Sequence, residues 1–406
     1  MPEAVIVATA RSPIGRANKG SLKDFRPDDL AARMVGAALD QVPELERSDV
    51  DDLMLGCAQP AGEAGYNMAR VVAVLSGLDT VPGVTVNRYC SSSLQTTRMA
   101  LHAIRAGEGD VFISAGVETV SRYGHGRADG MPGSRNPVFE AASDRSVRRA
   151  AGEGGEWIDP RDAGTLPDIY ITMGNTAENV AQRLGMSREE QDQFAVRSQN
   201  LAEHAITEGF WAKDITPVQL ADGSWVSADD GPRAGTTLEV VSALPPAFQE
   251  NGTVTAGNSC PLNDGAAAVV VMSEQKAADL GIAPLARILS TAVTALSPEI
   301  MGLGPVEAVP AALRPLGMTI DDVDLFEINE AFAVQAWGSA RELGIPIERL
   351  NVNGGAIAVG HPFGMTGARI TSTLVNGLRH HDKEVGVETM CVGGGQGMAM
   401  VVQRLA

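Results

Sequence analysis

The sequence predicts an α/β protein built around a duplicated unit, and three observations carry that prediction. Short apolar runs bounded by glycine alternate with longer helical patterns, an early and a late stretch pass through the same series of elements, and a segment of different texture separates them. At 406 residues the chain exceeds one ordinary core and should form two or three domains.

The runs Ala4 to Ala8, Leu53 to Gly56, Val111 to Ala115 and Ala266 to Met272 read as buried strands. In the first half, Asp49-Val50-Asp51-Asp52-Leu53-Met54-Leu55 leads to Val84-Thr85-Val86-Asn87, a turn, a helix, and then Asp110 to Gly116. In the second, Asp322-Val323-Asp324-Leu325-Phe326-Glu327-Ile328 leads to Leu350-Asn351-Val352-Asn353, a glycine turn, a helix, and Val387 to Cys391. Both halves repeat the order strand, strand, helix, strand, with an Asp-Val-Asp entry and a Val-Asn ending. The stretch between them is rich in Gly, Pro, Arg and Asp and carries helical patches at Thr176 to Leu184 and Arg188 to Glu208. The expected division is residues 1–121 with 252–275 as the N-terminal half, 122–251 as an inserted loop domain, and 276–406 as the C-terminal half.

A formal charge of −18 argues against a long contact with nucleic acid, whose phosphates need a broad cationic face. No apolar run reaches membrane-spanning length, and Glu3 stands where a signal peptide would carry basic residues, so a cytoplasmic protein without membrane insertion is expected. The cysteines Cys57, Cys90, Cys260 and Cys391 form no Cys-x-x-Cys pair, which fits neither a disulfide framework nor a zinc ribbon, and no metal site is expected.

Cys90 follows the Val84 to Asn87 strand and precedes a helix with Leu94, Thr97, Leu101 and Ile104 on one face, ending at Gly107. Free backbone N–H groups and the dipole at such a helix start favour an anion, so a lowered thiol pKa and a reactive thiolate are expected there. The same donors could hold a negative oxygen formed on a carbonyl that the sulfur attacks. The competing reading is a buried cysteine followed by capping serines.

His361 stands in the loop Asn351 to Gly364, before a helix carrying Ile370, Leu374 and Leu378. The loop lacks the P-loop lysine and the dinucleotide-binding glycine spacing, so nucleotide hydrolysis is unsupported. A second glycine cluster, Gly393-Gly394-Gly395-Gln396-Gly397, begins just after Cys391. Packing of the two halves about a pseudo-twofold axis would bring Cys90, His361 and Cys391 into one pocket.

These residues resemble the thiolase family over essentially the whole chain. The markers occur in order: Val86 to Ser92, Met173-Gly174-Asn175-Thr176-Ala177-Glu178-Asn179-Val180, Thr255-Ala256-Gly257-Asn258, Asn263-Asp264-Gly265-Ala266-Ala267, Asn329-Glu330-Ala331-Phe332, Asn353 to Pro362, and Cys391 to Gly395. The resemblance implies a thiolase fold, two αβα halves stacked as five α-β-α-β-α layers with an inserted loop domain. It implies that Cys90 is acylated, that His361 activates it, and that Cys391 moves the proton on the acetyl α-carbon. Asn329, through a held water, and His361 would serve the enolate oxygen, while the N–H groups of Cys90 and Gly393 would serve the acyl-enzyme. Arg233, Met173 and Cys260 are the candidate substrate contacts. Coenzyme A and acyl-CoA would be substrates, with no permanently bound cofactor, and a homo-oligomer, dimer or tetramer, is expected.

Three departures bear on the substrate. Thr172 stands where thiolases specialised for acetoacetyl-CoA usually have histidine, which favours degradative 3-ketoacyl-CoA thiolases of broad acyl range over a biosynthetic acetyl-CoA acetyltransferase. Ser93 replaces a common glycine, and Cys260-Pro261 replaces a serine-led pair at the pantetheine channel. A decarboxylating ketoacyl synthase would use histidines where Asn329 and Cys391 stand, and an inactive lipid-binding relative typically breaks the Asn329 to Phe332 motif, which is intact here.

Overall fold

The computed structural model describes residues 2–153 and 155–406. Ten strands form the main sheet of the described residues, nine of them along one path: β1 (Ala4–Arg11), β2 (Asp52–Gly56), β3 (Gly83–Val86), β4 (Val111–Thr119), β5 (Asn263–Ser273), β6 (Ala286–Ala295), β7 (Leu325–Ile328), β8 (Val385–Val392) and β9 (Gln396–Arg404). The order is β7-β8-β9-β6-β1-β5-β4-β2-β3, with Gly15–Arg16 pairing beside β5. Only Val5 and Ile6 of β1 pair with β6, so the sheet is two half-sheets that touch at one narrow seam.

The half-sheets have matching topology. In the first, β2 pairs in parallel with β3 and β4, and β5 and β1 follow antiparallel. In the second, β7 pairs in parallel with β8, and β9 and β6 follow antiparallel. The expected counterpart of β3, Leu350 to Asn353, is reduced to one parallel bridge between Phe326 and Leu350. Asn351 explains the loss. Its backbone turns into the left-handed region at φ 44, and its side chain takes over the pairing, accepting from Ile328 N at 2.8 Å and donating to Ile328 O at 2.9 Å.

Nine helices matter for the packing: α1 (Pro27–Leu39), α2 (Met68–Leu75), α3 (Ser92–Ala106), α4 (Glu140–Ala150), α5 (Met173–Leu184), α6 (Arg188–Thr207), α7 (Gly304–Leu313), α8 (Ala333–Leu343) and α9 (Thr366–His380). Side chains alternate faces along each strand, and β5 shows the consequence. Val270 and Met272 join Leu30, Met34 and Val72 of α1 and α2, whereas Val269 and Val271 join Leu94 and Leu101 of α3 and Ile370 and Leu374 of α9. The outer face of the second half-sheet presents Val387, Ala399 and Val401 to α7 and α8. The result is five layers, with α3 and α9 packed together in the middle.

The helical patches expected between the halves are α5 and α6, and α4 precedes them. Ser187 caps α6 reciprocally with Glu190, a capping box that fixes its start. Arg11 of β1 reaches into this segment and pairs with Asp214 at 2.7 Å and Asp229 at 2.6 Å, all three side chains withdrawn from water. No helix among the described residues is long and apolar enough to cross a membrane.

Candidate active site

Cys90 lies in a single 3-10 turn, Tyr89–Ser91, that leads from β3 into α3. Tyr89 adopts the left-handed φ of 44, an uncommon conformation for a side chain of its size, so the chain turns sharply just before the thiol. Asn87 accepts from Tyr89 N at 2.8 Å, and Ser92 accepts from Arg88 N at 2.9 Å, which fixes the turn from both ends. Ser93, one of the departures noted above, accepts from Ala368 N at 2.9 Å and so joins the start of α3 to the start of α9.

The thiol is buried, and burial pushes its pKa up to about 11, although the nearby backbone N–H groups of Gly393 and of Cys90 itself favour the thiolate and oppose that. The lowered pKa expected from the helix start is therefore not found, because desolvation of the thiolate outweighs two backbone donors. Cys90 is held as a neutral thiol next to groups that favour its anion.

His361 follows Gly360, whose φ of 112 swings the loop toward α9. Its backbone N–H donates to Asn263 at 2.9 Å, its ring meets the edge of Phe363 with centroids 5.2 Å apart, and its Nδ1 lies 2.6 Å from the Thr366 hydroxyl. That hydroxyl has one proton, which it gives to the carbonyl of Pro362 at 2.7 Å. Nδ1 must then be the donor to Thr366, so Nε2 carries the free lone pair. Nε2 is buried with no partner among the described residues. Burial, reinforced by the charge of Arg369, lowers the imidazole pKa to about 3, so the ring is neutral and basic at one defined atom.

Cys391 is one step less exposed to the turn than its sequence suggested. It pairs with Gly397 inside the β8–β9 hairpin, and the turn itself is made by Gly394 and Gly395 at φ 77 and 78. Burial first, then the neighbouring Cys90 and Cys260, push the Cys391 thiol well above its ordinary value. Cys260 is raised to about 12 by burial and by Cys90. The three thiols thus face one region. Asn329, at the end of β7, is buried beside them: its Oδ1 accepts from Arg369 Nη2 at 3.3 Å, and its Nδ2 has no partner among the described residues.

A cavity of about 410 Å³ opens over Cys90, lined also by Gln59, Asn87, Tyr89, Met173, Phe363 and Gly393. A larger hollow of about 530 Å³ lies between Arg149, Trp157 and Asn175, and no thiol or histidine lines it. Of the sequence candidates, Cys90, Met173 and Gly393 line the smaller cavity; His361, Cys391, Cys260 and Asn329 do not, although the His361 ring packs on Phe363, which does, and Cys391 and Cys260 are close enough to Cys90 to feel its charge. Arg233 does not join them. Its side chain is exposed and its backbone N–H is tied to Gln199 at 2.9 Å.

Sequence reasoning missed Glu118, Thr366 and Arg369. Glu118 is fully buried, accepting from Ala58 N at 2.8 Å, Gly364 N at 2.9 Å and Tyr123 OH at 3.0 Å, so it clamps the His361 loop to the end of β2. Desolvation raises its pKa to about 7 against those bonds. The available signal was a charge inside an apolar pattern, Gly116-Val117-Glu118 in a strand and Gly367-Ala368-Arg369-Ile370 in a helix.

Comparison with known proteins agrees with this geometry. The profile described as "Thiolase, N-terminal domain" matches residues 4–275, and "Thiolase, C-terminal domain" matches residues 282–404. The "3-ketoacyl-CoA thiolase" of Bacillus subtilis (strain 168) is 44% identical over 416 residues, covering 99% of this chain and all of the relative. Among solved structures, the Bacillus anthracis acetyl-CoA acetyltransferase superposes with a TM-score of 0.85 at 38% identity, covering 100% of this chain and 99% of its own. The dimeric peroxisomal thiolase of Saccharomyces cerevisiae gives 0.87 at 34% identity, covering 99% and 97%. The chain belongs to the thiolase family.

Proposed function

We propose that the protein is a 3-ketoacyl-CoA thiolase, an acyltransferase that cleaves 3-oxoacyl-CoA with coenzyme A through an acyl-cysteine. The observation that carries the reading is a neutral imidazole with one unpartnered nitrogen, Nε2 of His361, whose ring packs on Phe363 in the wall of the cavity that opens over Cys90. Nε2 takes the Cys90 proton as the sulfur attacks the 3-oxo carbon. The carbon–carbon bond breaks, the electron pair passes to the acetyl-CoA enolate, and Cys391 supplies the proton that makes its methyl group. The thiol of coenzyme A then attacks the acyl-cysteine and restores Cys90, which gives ping-pong kinetics.

Gly393 N–H and Cys90 N–H serve the oxyanion of the acyl-enzyme, and Asn329, through a held water, together with His361, serves the enolate oxygen. Met173 and Cys260 border the substrate path, and Arg233, exposed on the inserted segment, is offered as a contact for the phosphates of coenzyme A. Thr172 in place of histidine supports a degradative enzyme of broad acyl range. Coenzyme A thioesters are substrates, and no permanent cofactor is invoked. The half-buried edge strand β3, with Tyr66, Val74 and Leu75 exposed nearby, supports a homo-oligomer, dimer or tetramer, in the cytoplasm. The division into halves at 1–121 with 252–275 and 276–406, and a loop domain at 122–251, belongs to the same reading.

The deciding experiment follows loss of 3-oxoacyl-CoA of several chain lengths by ultraviolet absorbance after adding coenzyme A. Turnover of several lengths is expected; turnover of acetoacetyl-CoA alone would favour the biosynthetic enzyme, and none at any length would refute the reading.

A further inference from the structure

Arg369 is a fully buried guanidinium one turn into α9, and its hydrogen-bond partner is the amide oxygen of Asn329, 3.3 Å from Nη2. An asparagine side chain can present either its oxygen or its nitrogen to a neighbour, and nothing in its own shape decides which. A guanidinium has donors and no acceptor, so it decides. The oxygen must face Arg369, and the Nδ2 donor must face away, where it is buried and without a partner among the described residues. We propose that Arg369 is a positioning residue, which holds the Asn329 amide in the one orientation that offers Nδ2 to the water through which it serves the reacting oxygen. The inference rests on the thiolase reading above and adds to it a residue that touches no substrate.

The placement has a second feature. Thr366 and Arg369 are three residues apart in α9 and therefore share a face. The first turn of that helix thus sets two polarities: Thr366 determines which nitrogen of His361 is free, and Arg369 determines which end of Asn329 is free. Burial lowers the pKa of Arg369, and the acidic groups Glu327, Asp214 and Asp229 oppose that lowering; Glu327 and Glu388 face each other in register across β7 and β8. One nitrogen of the guanidinium, Nη2, is directed at the amide from within the core.

The test uses the full chain and compares Arg369→Gln, Arg369→Lys, Asn329→Ala and the doubles with Asn329→Ala. Two rates are read: kcat for thiolysis, and acetylation of Cys90 by acetyl-CoA followed by mass spectrometry. Glutamine offers both a donor and an acceptor, so the amide loses its imposed direction. Arg369→Gln should lower kcat about 10- to 100-fold, a share of what loss of one oxyanion donor costs, with KM and Cys90 acetylation within about threefold of wild type. Arg369→Lys, still donor only, should recover most of the loss. In the Asn329→Ala background neither change should lower kcat further, because nothing remains to be oriented.

Losses of kcat that multiply in the two backgrounds, or a parallel fall in acetylation, would overturn the proposal and leave Arg369 as a core charge. If Arg369→Gln does not fold, the lysine pair decides alone: its loss must vanish without Asn329. A wild type that performs no thiolysis would instead remove the thiolase reading itself, which separates the two failures.

Discussion

The Thr366 hydroxyl sits between two groups of its own loop, 2.6 Å from Nδ1 of His361 and 2.7 Å from the carbonyl oxygen of Pro362. With one proton to give, it can satisfy both only by donating to Pro362 and accepting from the imidazole. Thr366→Val deletes that acceptor at nearly constant volume and leaves a buried N–H unpaired, at a cost of about 1–3 kcal/mol. The expected result is a thiolysis kcat roughly 5- to 100-fold lower, with Thr366→Ser close to wild type. A fully active valine variant would show that the tautomer is set elsewhere.

The proposed mechanism gives Cys90 and Cys391 different tasks, and acyl transfer separates them. Cys90→Ala should take up no acetyl group from acetyl-CoA, whereas Cys391→Ala should still be acetylated and should then stall before the carbon–carbon step. Intact-mass measurement distinguishes the two. Equal labelling of Cys90→Ala and wild type would reverse the assignment.

The resting protonation states make a prediction about pH. Burial raises Cys90 to about 11 and lowers His361 to about 3, so across the neutral range the pair is thiol and imidazole rather than thiolate and imidazolium. Below its pKa a thiol gains about tenfold in thiolate per pH unit. Inactivation by iodoacetamide should therefore accelerate continuously from about pH 6 to about pH 10. A plateau below about pH 8 would mean that the ion pair already exists without substrate.

Glu118 links the site to stability. Its folded pKa, about 7, is above the ordinary 4.5, so the folded chain binds the extra proton between those values. Stability from this group is complete below about pH 4.5, is lost as pH rises through about 7, and stays flat above. Glu118→Gln removes the dependence. In urea titrations at pH 5 and pH 8, the variant should gain on wild type at the higher pH; an identical gap at both would rule out Glu118 as the source.

Much of this was readable in the chain, and the parts that were not have a common cause. The glycine-bounded runs became β1, β2, β4 and β5, each extended by a few residues, because alternation along a strand is a local signal. The turn at Cys90 and the loop at His361 were also marked locally, by glycines and by the strands before them. The Cys90 pKa was not, since the expectation came from a helix start and the outcome from burial, which depends on α9 and the β8–β9 hairpin lying over it. Leu350 to Asn353 read as a strand by its likeness to Val84 to Asn87, and a single side chain overrode the likeness. Arg233 was chosen for its charge, and the structure leaves its side chain exposed, away from the cavity over Cys90.

The exchange at Asn351, a side-chain amide doing for Ile328 what a neighbouring backbone does elsewhere, has a consequence for how this architecture divides labour. Two copies of one unit could have produced two identical mouths. In the second copy the chain leaves the sheet after a single bridge and runs on into the glycine loop that carries His361, so the two copies end in different mouths, and the difference begins at one amide.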